Sequence, residues 1–158
     1  MCVSEWKSFV DDEEQKAEMS AFVQRATTGM RMMDVGAHWG VFTLAARPFG
    51  GPSARCISID ASAEALRVCH INLRLNGVES DVQLINSACG SETGSLKMLT
   101  TGAGGADYLV VPTEERPDAV SVAQVTIDDV CRANAFVPTH LKIDVEGFEE
   151  EVIIGGLK

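Results

Sequence analysis

The feature that most constrains this chain is an apolar run that ends in an acid and then turns through two glycines, at residues 32–40. The run reads Met-Met-Asp-Val-Gly-Ala-His-Trp-Gly, and apolar residues at helical spacing follow it directly. This order predicts a strand, a tight loop and a helix. In an open parallel sheet, ligands bind at such a turn because the carboxyl end of the strand and the N-terminus of the helix face one crevice.

The spacing of this loop indicates which ligands fit it. A dinucleotide fingerprint reads G-x-G-x-x-G, but here His38 stands where the second glycine belongs. The Gly-Lys-Ser/Thr of a phosphate-binding P-loop is also absent. An acid at the strand end, with no basic residue in the loop, suits a ligand with a cationic end. S-adenosylmethionine, which carries an ammonium and a sulfonium, fits better than a phosphate. A purely structural glycine turn explains this stretch equally well.

Composition and charge exclude several classes of function. The 158 residues contain 13 basic and 23 acidic side chains, a formal net charge of −10, which argues against nucleic-acid binding and against an anionic membrane surface. No apolar run approaches the roughly 20 residues of a membrane span, and no signal peptide is recognised. Five cysteines without a C-x-x-C pair predict a reduced, cytoplasmic protein. Three histidines without ligand spacing predict no metal site.

The remaining patterns predict strands that alternate with helices in one domain over 1–158. An amphipathic helix is expected over 4–25, within an N-terminal segment 1–28. Core strands are expected over 30–35, 55–60, 81–86 and 140–145. Helices are expected from Gly40 to the breaker cluster at Pro48, and over 63–75, 127–134 and 148–154. Short β pieces over 95–100, 107–111 and 120–125 form a β/loop insertion at 91–125, after a closing loop at 87–90. This alternation predicts a doubly wound α/β fold with a parallel sheet.

Three of the four predicted core strands end in an aspartate. These residues are Asp34, Asp60 and Asp144. The carboxyl ends of parallel strands meet at one edge of a sheet, so we expect the three carboxylates to converge. One acid at a strand end is routine, whereas three on one edge indicate a site.

Five stretches together resemble the FkbM family of S-adenosylmethionine-dependent methyltransferases. They are Asp-Val-Gly-Ala-His-Trp-Gly at 34–40, Ile-Asp at 59–60, Asn-Ser-Ala at 86–88, Thr-Ile-Asp-Asp-Val at 126–130 and Leu-Lys-Ile-Asp-Val-Glu-Gly-Phe-Glu at 141–149. The likeness extends from about residue 29 to residue 156, and the last stretch is its specific part. The resemblance implies a Rossmann-like class I methyltransferase fold that methylates a hydroxyl oxygen of a sugar, a polyketide or a similar small molecule.

The resemblance also implies roles for individual residues. Asp34 is expected to support the ammonium of S-adenosylmethionine, Asp60 to bind its ribose hydroxyls, and Asp144 and Glu146 to lie where the methyl donor meets the acceptor. The loop after the first strand is expected to wrap the methionine part, and residues 87–88 to lie beside the adenine. The full cofactor-binding set is Asp34, Gly36, Ala37, His38, Gly40, Asp60, Ala61, Ser87 and Ala88.

Two departures from the family pattern affect these expectations. The family commonly has glutamate and then proline at the ribose position, where this chain has Asp60 and Ala61. The fold normally has seven strands in the order 3-2-1-4-5-7-6, and we expect only 3-2-1-4 here. The fourth strand is then an edge, through which another copy of the chain could pair.

Three hypotheses of function remain open. In the first, the chain is an O-methyltransferase with Asp144 as the base and Glu146 as the second candidate. In the second, it is a non-catalytic module that binds the cofactor or assembles with a partner. In the third, it is a nicotinamide-dependent enzyme, and His38 makes this hypothesis the weakest. Glu149 is expected to serve the helix N-terminus. The sequence does not name the methyl acceptor.

Overall fold

The computed structural model of the protein describes residues 13–99, 108–110, 117 and 119–157. The strands are β1 (Arg31–Val35), β2 (Arg55–Asp60), β3 (Val82–Asn86), β4 (Ala88–Cys89), β5 (Gly94–Leu99), β6 (Tyr108–Val110), β7 (Ala119–Val125) and β8 (His140–Ile143). The helices are α1 (Glu13–Arg25), α2 (Val41–Gly50), α3 (Ala63–Leu75), α4 (Ile127–Asn134) and α5 (Glu149–Ile154). A short 3₁₀ turn, Glu79–Asp81, precedes β3.

The main sheet is parallel and has the order β3-β2-β1-β8, which confirms the predicted order of the four core strands. β1 lies between β2 and β8, and the register places Asp34 of β1 opposite Ser58 of β2 and Lys142 of β8. The carboxyl ends of all four strands therefore lie at one edge. This is the edge that binds ligands in open α/β sheets.

Successive β1 side chains point to opposite sides of the main sheet, and helices cover both sides, so both faces are buried. On one face, Met32 packs with Phe42 and Ala46 of α2, and α1 covers this cluster. On the other face, Met33 packs in a cluster with Val152 of α5. The edge-to-face contact of Phe22 with Phe42, at 5.7 Å between ring centroids, joins α1 to α2. A helix layer on each face is the doubly wound arrangement.

Helix caps follow the sequence closely. Ser62 accepts a hydrogen bond from the Ala65 amide at 3.2 Å and begins α3. Thr126 accepts one from the Asp129 amide at 3.0 Å and begins α4. Each interaction satisfies one of the free amides at a helix N-terminus. Gly77, with a φ of 66°, follows the C-cap of α3.

A second sheet forms beside the first, with the order β4-β7-β5-β6. β5 pairs antiparallel with β6 and β7, whereas β4 pairs parallel with β7. The prediction of a plain loop at 87–90 was wrong, because Ala88 and Cys89 form β4. Both side chains are 3% exposed. Two small buried residues that continue directly from β3 carry no periodic pattern that would mark a strand.

Other boundaries also differ from those predicted. α2 does not stop at Pro48 but continues to Gly50, and the Gly51 amide donates to the Arg47 carbonyl to close its last turn. Proline removes one helical hydrogen bond, a loss that this final turn tolerates. β8 ends at Ile143, so Asp144 belongs to the loop that follows. The predicted helix residues 4–12, and residues 100, 107 and 111, lie outside the described residues. Of the described helices, none has the length and apolar character to cross a membrane.

The packing of α2 against β1 generates a stability prediction at Gly50. A β-carbon there would lie 2.6 Å from Cγ of Met30 and 2.9 Å from Cβ of Ala54. Gly50→Ala is therefore expected to destabilise the protein by about 1–3 kcal/mol through overpacking, although alanine is normally the better helix former. Urea unfolding measures the change. Gly94→Ala, whose β-carbon meets nothing within 4 Å, is the control and should leave stability equal or slightly higher. Equal stabilities of the two variants would contradict this packing.

Candidate functional site

The loop after β1 is fixed by hydrogen bonds that use its own amides. The amides of Gly36 and Ala37 both donate to the Ile59 carbonyl, at 2.9 and 3.1 Å. The His38 amide donates to Oδ2 of Asp60 at 2.7 Å, and the Gly40 amide donates to the Ala37 carbonyl at 2.8 Å. A phosphate cradle needs such amides free to face the ligand. This loop has committed them internally, so it offers carbonyl oxygens and acids instead.

The loop also touches the end of β8 so closely that only glycine fits at position 36. A β-carbon on Gly36 would lie 1.8 Å from the Asp144 carbonyl oxygen. Gly36 has a φ of 73°, in the left-handed region that glycine adopts without strain. Val35 accepts from the Asp144 amide at 3.0 Å and holds the two strand ends in register. The loops after β1 and β8 thus form one contiguous edge.

Asp34 lies beneath this loop and is 1% exposed. Its Oδ2 accepts from Thr43 Oγ1 at 2.7 Å, and Thr43 Oγ1 also shares a hydrogen bond with Ser58 Oγ at 2.8 Å. Its Oδ1 has no hydrogen-bond partner, and the nearest cation is Lys142 Nζ at 3.7 Å. Burial raises the pKa of Asp34, while Lys142 and Thr43 act to lower it. A buried carboxyl paired with Lys142 therefore lies directly under the loop.

Lys142 of β8 connects these groups, and the sequence analysis did not identify it. Its Nζ donates to the Gly36 carbonyl at 3.1 Å and to Oδ2 of Asp144 at 3.2 Å, in addition to its ion pair with Asp34. The ammonium lies 5.2 Å from the centroid of the Phe42 ring, and the side chain is 19% exposed. One signal was available: Lys142 precedes Asp144 by two residues, which places both on one face of an extended strand.

Asp60 holds the loop from the side opposite Lys142. Its Oδ2 accepts from the His38 amide, and its Oδ1 accepts from the Ser62 amide at 2.8 Å. Burial raises the pKa of Asp60, and the two amides act in the opposite direction. Each carboxylate oxygen keeps a lone pair beyond the bond it makes. Asp60 can therefore accept further hydrogen bonds while it fixes the loop.

The predicted adenine-side residues lie next to Asp60. The Ser87 amide donates to the Asp60 carbonyl at 3.0 Å, and the Asn86 side-chain amide donates to the carbonyls of Asp60 and Ala61, both at 3.0 Å. Ser87 is 7% exposed and Ala88 is 3% exposed. Backbone and side-chain hydrogen bonds therefore join the ends of β2 and β3.

Backbone strain marks both sides of the edge. His38 has a φ of 49° and Glu146 a φ of 53°, conformations that non-glycine residues rarely adopt. The His38 ring stacks on the Trp39 ring at 4.4 Å between centroids. Such strain costs about 1–3 kcal/mol per residue and clusters at functional sites. Of the three described non-glycine residues with a positive φ, these two lie in the loops after β1 and β8, and the third, Ala135, ends α4.

The loop after β8 presents its acids in two ways. Glu149 Oε1 accepts from the amides of Val145 and Gly147 at 3.2 and 3.1 Å. Its pKa is lowered by backbone amides, first its own and then those of Gly147 and Val145. Glu149 therefore stabilises the loop, consistent with a structural role at the start of α5. The side chain of Asp144 is 57% exposed, and Glu146 is also exposed. Both acids are accessible from solvent, and Asp144 also accepts the hydrogen bond from Lys142.

A groove of about 730 Å³ opens next to these acids, between α1, α2 and β8. Phe22 and Phe42 are among its apolar lining residues, and Lys142, Asp144 and Glu149 are among its charged ones. Within the part of the chain that the structure describes, no three His, Cys, Asp or Glu side chains are grouped as metal ligands. The site therefore consists of the loop after β1, the acids on either side of it and Lys142, and the groove lies next to it.

The chain is similar to known methyltransferases. The family model of the methyltransferase FkbM domain matches residues 34–158. No protein of curated function matches the chain in sequence. The crystal structure of a methyltransferase FkbM from Methylobacillus flagellatus KT superposes with a TM-score of 0.56 at 19% identity, over 80% of this chain and 28% of that one.

A second structure aligns over a smaller part of the chain. The S-adenosylmethionine-dependent methyltransferase from Agrobacterium tumefaciens has a TM-score of 0.41 at 23% identity, over 49% of this chain and 25% of that one. This chain therefore spans under a third of the length of either protein. At these identities the structural likeness establishes the fold alone, and the Methylobacillus structure is the one that carries it.

The contact between the loop and β8 generates a second stability prediction. Gly36→Ala and Gly77→Ala both place alanine at a similar positive φ, which costs about 1–2 kcal/mol. The Gly77 β-carbon meets nothing within 4 Å, whereas the Gly36 β-carbon overlaps the Asp144 carbonyl. We expect Gly36→Ala to lose about 1–3 kcal/mol more than Gly77→Ala in urea unfolding. Equal losses would show that the loop and the end of β8 are not in contact.

Proposed function

The chain belongs to the FkbM methyltransferase family, and from this premise we propose that it transfers the methyl group of S-adenosylmethionine to a hydroxyl oxygen of a small molecule. A sugar or a polyketide-like compound is the class of acceptor that we propose. The observation that carries the proposal is the loop of residues 36–40, in which four amides (36, 37, 38 and 40) already donate to protein acceptors while acids lie under and beside it. Such a loop favours a cationic ligand over a phosphate.

The residues present fit S-adenosylmethionine. Oδ1 of Asp34 is buried without a hydrogen-bond partner, and the described acids under and beside the loop (Asp34, Asp60 and Asp144) outnumber the one described cation there, Lys142, which favours an ammonium and a sulfonium. We propose that residues 36–38 and Gly40 surround the methionine part, with the Gly36 carbonyl as an acceptor for the ammonium. Asp34 then supports the ammonium through its field and not by contact, because it is buried beneath the loop.

The other cofactor contacts follow the edge of the sheet. Asp60 keeps free lone pairs next to the loop, which supports its assignment to the ribose hydroxyls. Ala61, Ser87 and Ala88 continue from Asp60 through the hydrogen bonds of Asn86 and Ser87, and they are assigned to the adenine side. Ala61 stands where the common family pattern has proline, but the Asn86 side chain donates a hydrogen bond that holds the Ala61 carbonyl in place.

S-adenosylmethionine supplies a methyl group activated by its sulfonium, so the protein needs to align the acceptor and remove its proton. Asp144 is the proposed base because its exposed carboxylate stands at the junction of the loop and the groove. Glu146 is the second candidate, and it lies two residues after Asp144 in a turn with strained backbone geometry. A positioned base contributes about 10²–10⁴-fold to such a reaction.

An exposed edge supports a second candidate function, that of an assembly module. Among the described residues β8 pairs only with β1, and Leu141 on β8 is 46% exposed. Val137, just before β8, is 69% exposed. An unpaired strand with exposed apolar side chains is a template for pairing. We propose a second copy of this chain as the partner at this edge.

The proposed roles predict separate effects on binding and on turnover. Asp144→Asn is expected to lower turnover by about 10²–10⁴-fold because it removes the base. Calorimetric titration with S-adenosylmethionine should show an affinity equal to or tighter than that of the unchanged protein, and NAD should not bind to either. Glu146→Gln is the matched comparison and should reduce turnover less. A variant that loses cofactor affinity in proportion to its turnover would show that Asp144 is a binding residue.

The exposed edge predicts a mass that depends on concentration. Light scattering of the unchanged protein should approach the mass of two copies as the concentration rises. Leu141→Lys places a charge on the edge strand and should keep the mass at one copy, since lysine blocks edge pairing. Val120→Lys, a similar change at a 43% exposed residue of the second sheet, is the control and should not alter association. A single-copy mass at every concentration would exclude assembly through β8.

A further inference from the structure

The ammonium of Lys142 occupies the acceptors that a ligand ammonium needs. Its Nζ is 3.1 Å from the Gly36 carbonyl, the acceptor assigned above to the cationic end of the cofactor, and 3.2 Å from Oδ2 of Asp144. A second ammonium cannot share these positions without strong repulsion between like charges. Lys142 must therefore change partners when a ligand of this kind binds.

The ligand brings the new partner with it. An α-amino acid end carries a carboxylate next to its ammonium, and this carboxylate needs a cation at an edge that is otherwise acidic. Two basic residues with full charges line the described groove, Lys142 and Arg25. β8 places His140 opposite Met32 and Lys142 opposite Asp34, and His140 contacts the Arg25 carbonyl. Arg25 therefore lies toward the amino end of the strands, and Lys142 is the cation at the loop.

We propose that Lys142 is the residue that recognises the α-carboxylate of the bound cofactor. In this exchange the ligand ammonium takes the Gly36 carbonyl, and Lys142 leaves Gly36 and Asp144 for the ligand carboxylate. The ligand carboxylate thereby replaces Asp144 as a partner of Lys142, and the exposed Asp144 carboxylate is left to solvent. This inference rests on the proposed function, since it assumes a cofactor with an amino-acid end.

The exchange has a consequence for the reaction. Oδ2 of Asp144 is paired with Lys142 before the ligand binds, and it is released when Lys142 moves to the carboxylate. The proposed base is then free to accept a hydrogen bond from the hydroxyl of the acceptor. Lys142 thus releases the Asp144 carboxylate only when a methyl donor is bound. It is also a determinant of cofactor specificity.

The experiment compares two nucleosides that differ in the amino-acid end. S-adenosylhomocysteine has this end, and 5′-methylthioadenosine lacks it. We expect Lys142→Met to weaken calorimetric binding of S-adenosylhomocysteine by roughly tenfold or more, the range for a lost charged hydrogen bond, and to leave binding of 5′-methylthioadenosine unchanged. Arg25→Met, which removes the other cation of the groove, is the control and should change neither affinity.

A purely structural role of Lys142 is tested in a background without the buried charge. Asp34→Asn removes the carboxylate that Lys142 balances, and its side-chain oxygen can still accept from Thr43. If Lys142 binds the ligand, Asp34→Asn with Lys142→Met should still bind S-adenosylhomocysteine about tenfold more weakly than Asp34→Asn alone. Equal affinities in these two variants, or an equal loss for both nucleosides, would overturn the inference.

Failure of the proposed function gives a different result. Binding of neither nucleoside by the unchanged protein would overturn the proposed cofactor and this inference with it. Binding of both by the unchanged protein, with no selective loss in Lys142→Met, would overturn this inference alone.

Discussion

Asp34 places a carboxyl group in the middle of the parallel sheet, where burial raises its pKa and the surrounding contacts offset part of the cost of a charge. A buried ion costs several kcal/mol unless partners compensate it. Thr43 of α2 supplies a hydrogen bond and Lys142 of β8 supplies a counter-charge. One side chain thereby links β1, α2 and β8. The ion pair with Asp34 keeps Lys142 next to the loop, and the charges of this pair set the electrostatic potential at the loop.

The fixed loop follows from the way in which β1 and β2 end. The Ile59 carbonyl accepts two amides of the loop, and Asp60 accepts a third, so the chain turns sharply after Val35. That turn brings Gly36 against the Asp144 carbonyl, where no β-carbon fits. The preference for a cationic ligand is therefore a property of the backbone. Substituting side chains in the loop would leave its amides committed.

The features that could be predicted from the sequence are those that follow a periodic pattern or depend on neighbouring residues. The alternation of strands and helices predicted a parallel sheet, and Ser62 and Thr126 predicted helix starts, because periodicity and capping are local. The order of the strands was predicted from the family resemblance. It missed the role of Lys142, since the pairing of Lys142 with Asp34 depends on the register between strands that are 108 residues apart. It also ended α2 at Pro48, whereas the helix continues to Gly50, which fits tightly against Met30.

The two ends of the candidate site are held with different firmness, and this difference bears on the proposed reaction. On the β2 side, both oxygens of Asp60 accept backbone amides, so this carboxylate is fixed before any ligand arrives. On the β8 side, Asp144 is exposed and Glu146 holds a strained turn. A fixed side suits a constant cofactor, because preorganisation reduces the ordering needed on binding. The β8 side, which is held less firmly, suits the methyl acceptor. The choice of acceptor then depends on the shape of the groove and not on the edge of the sheet.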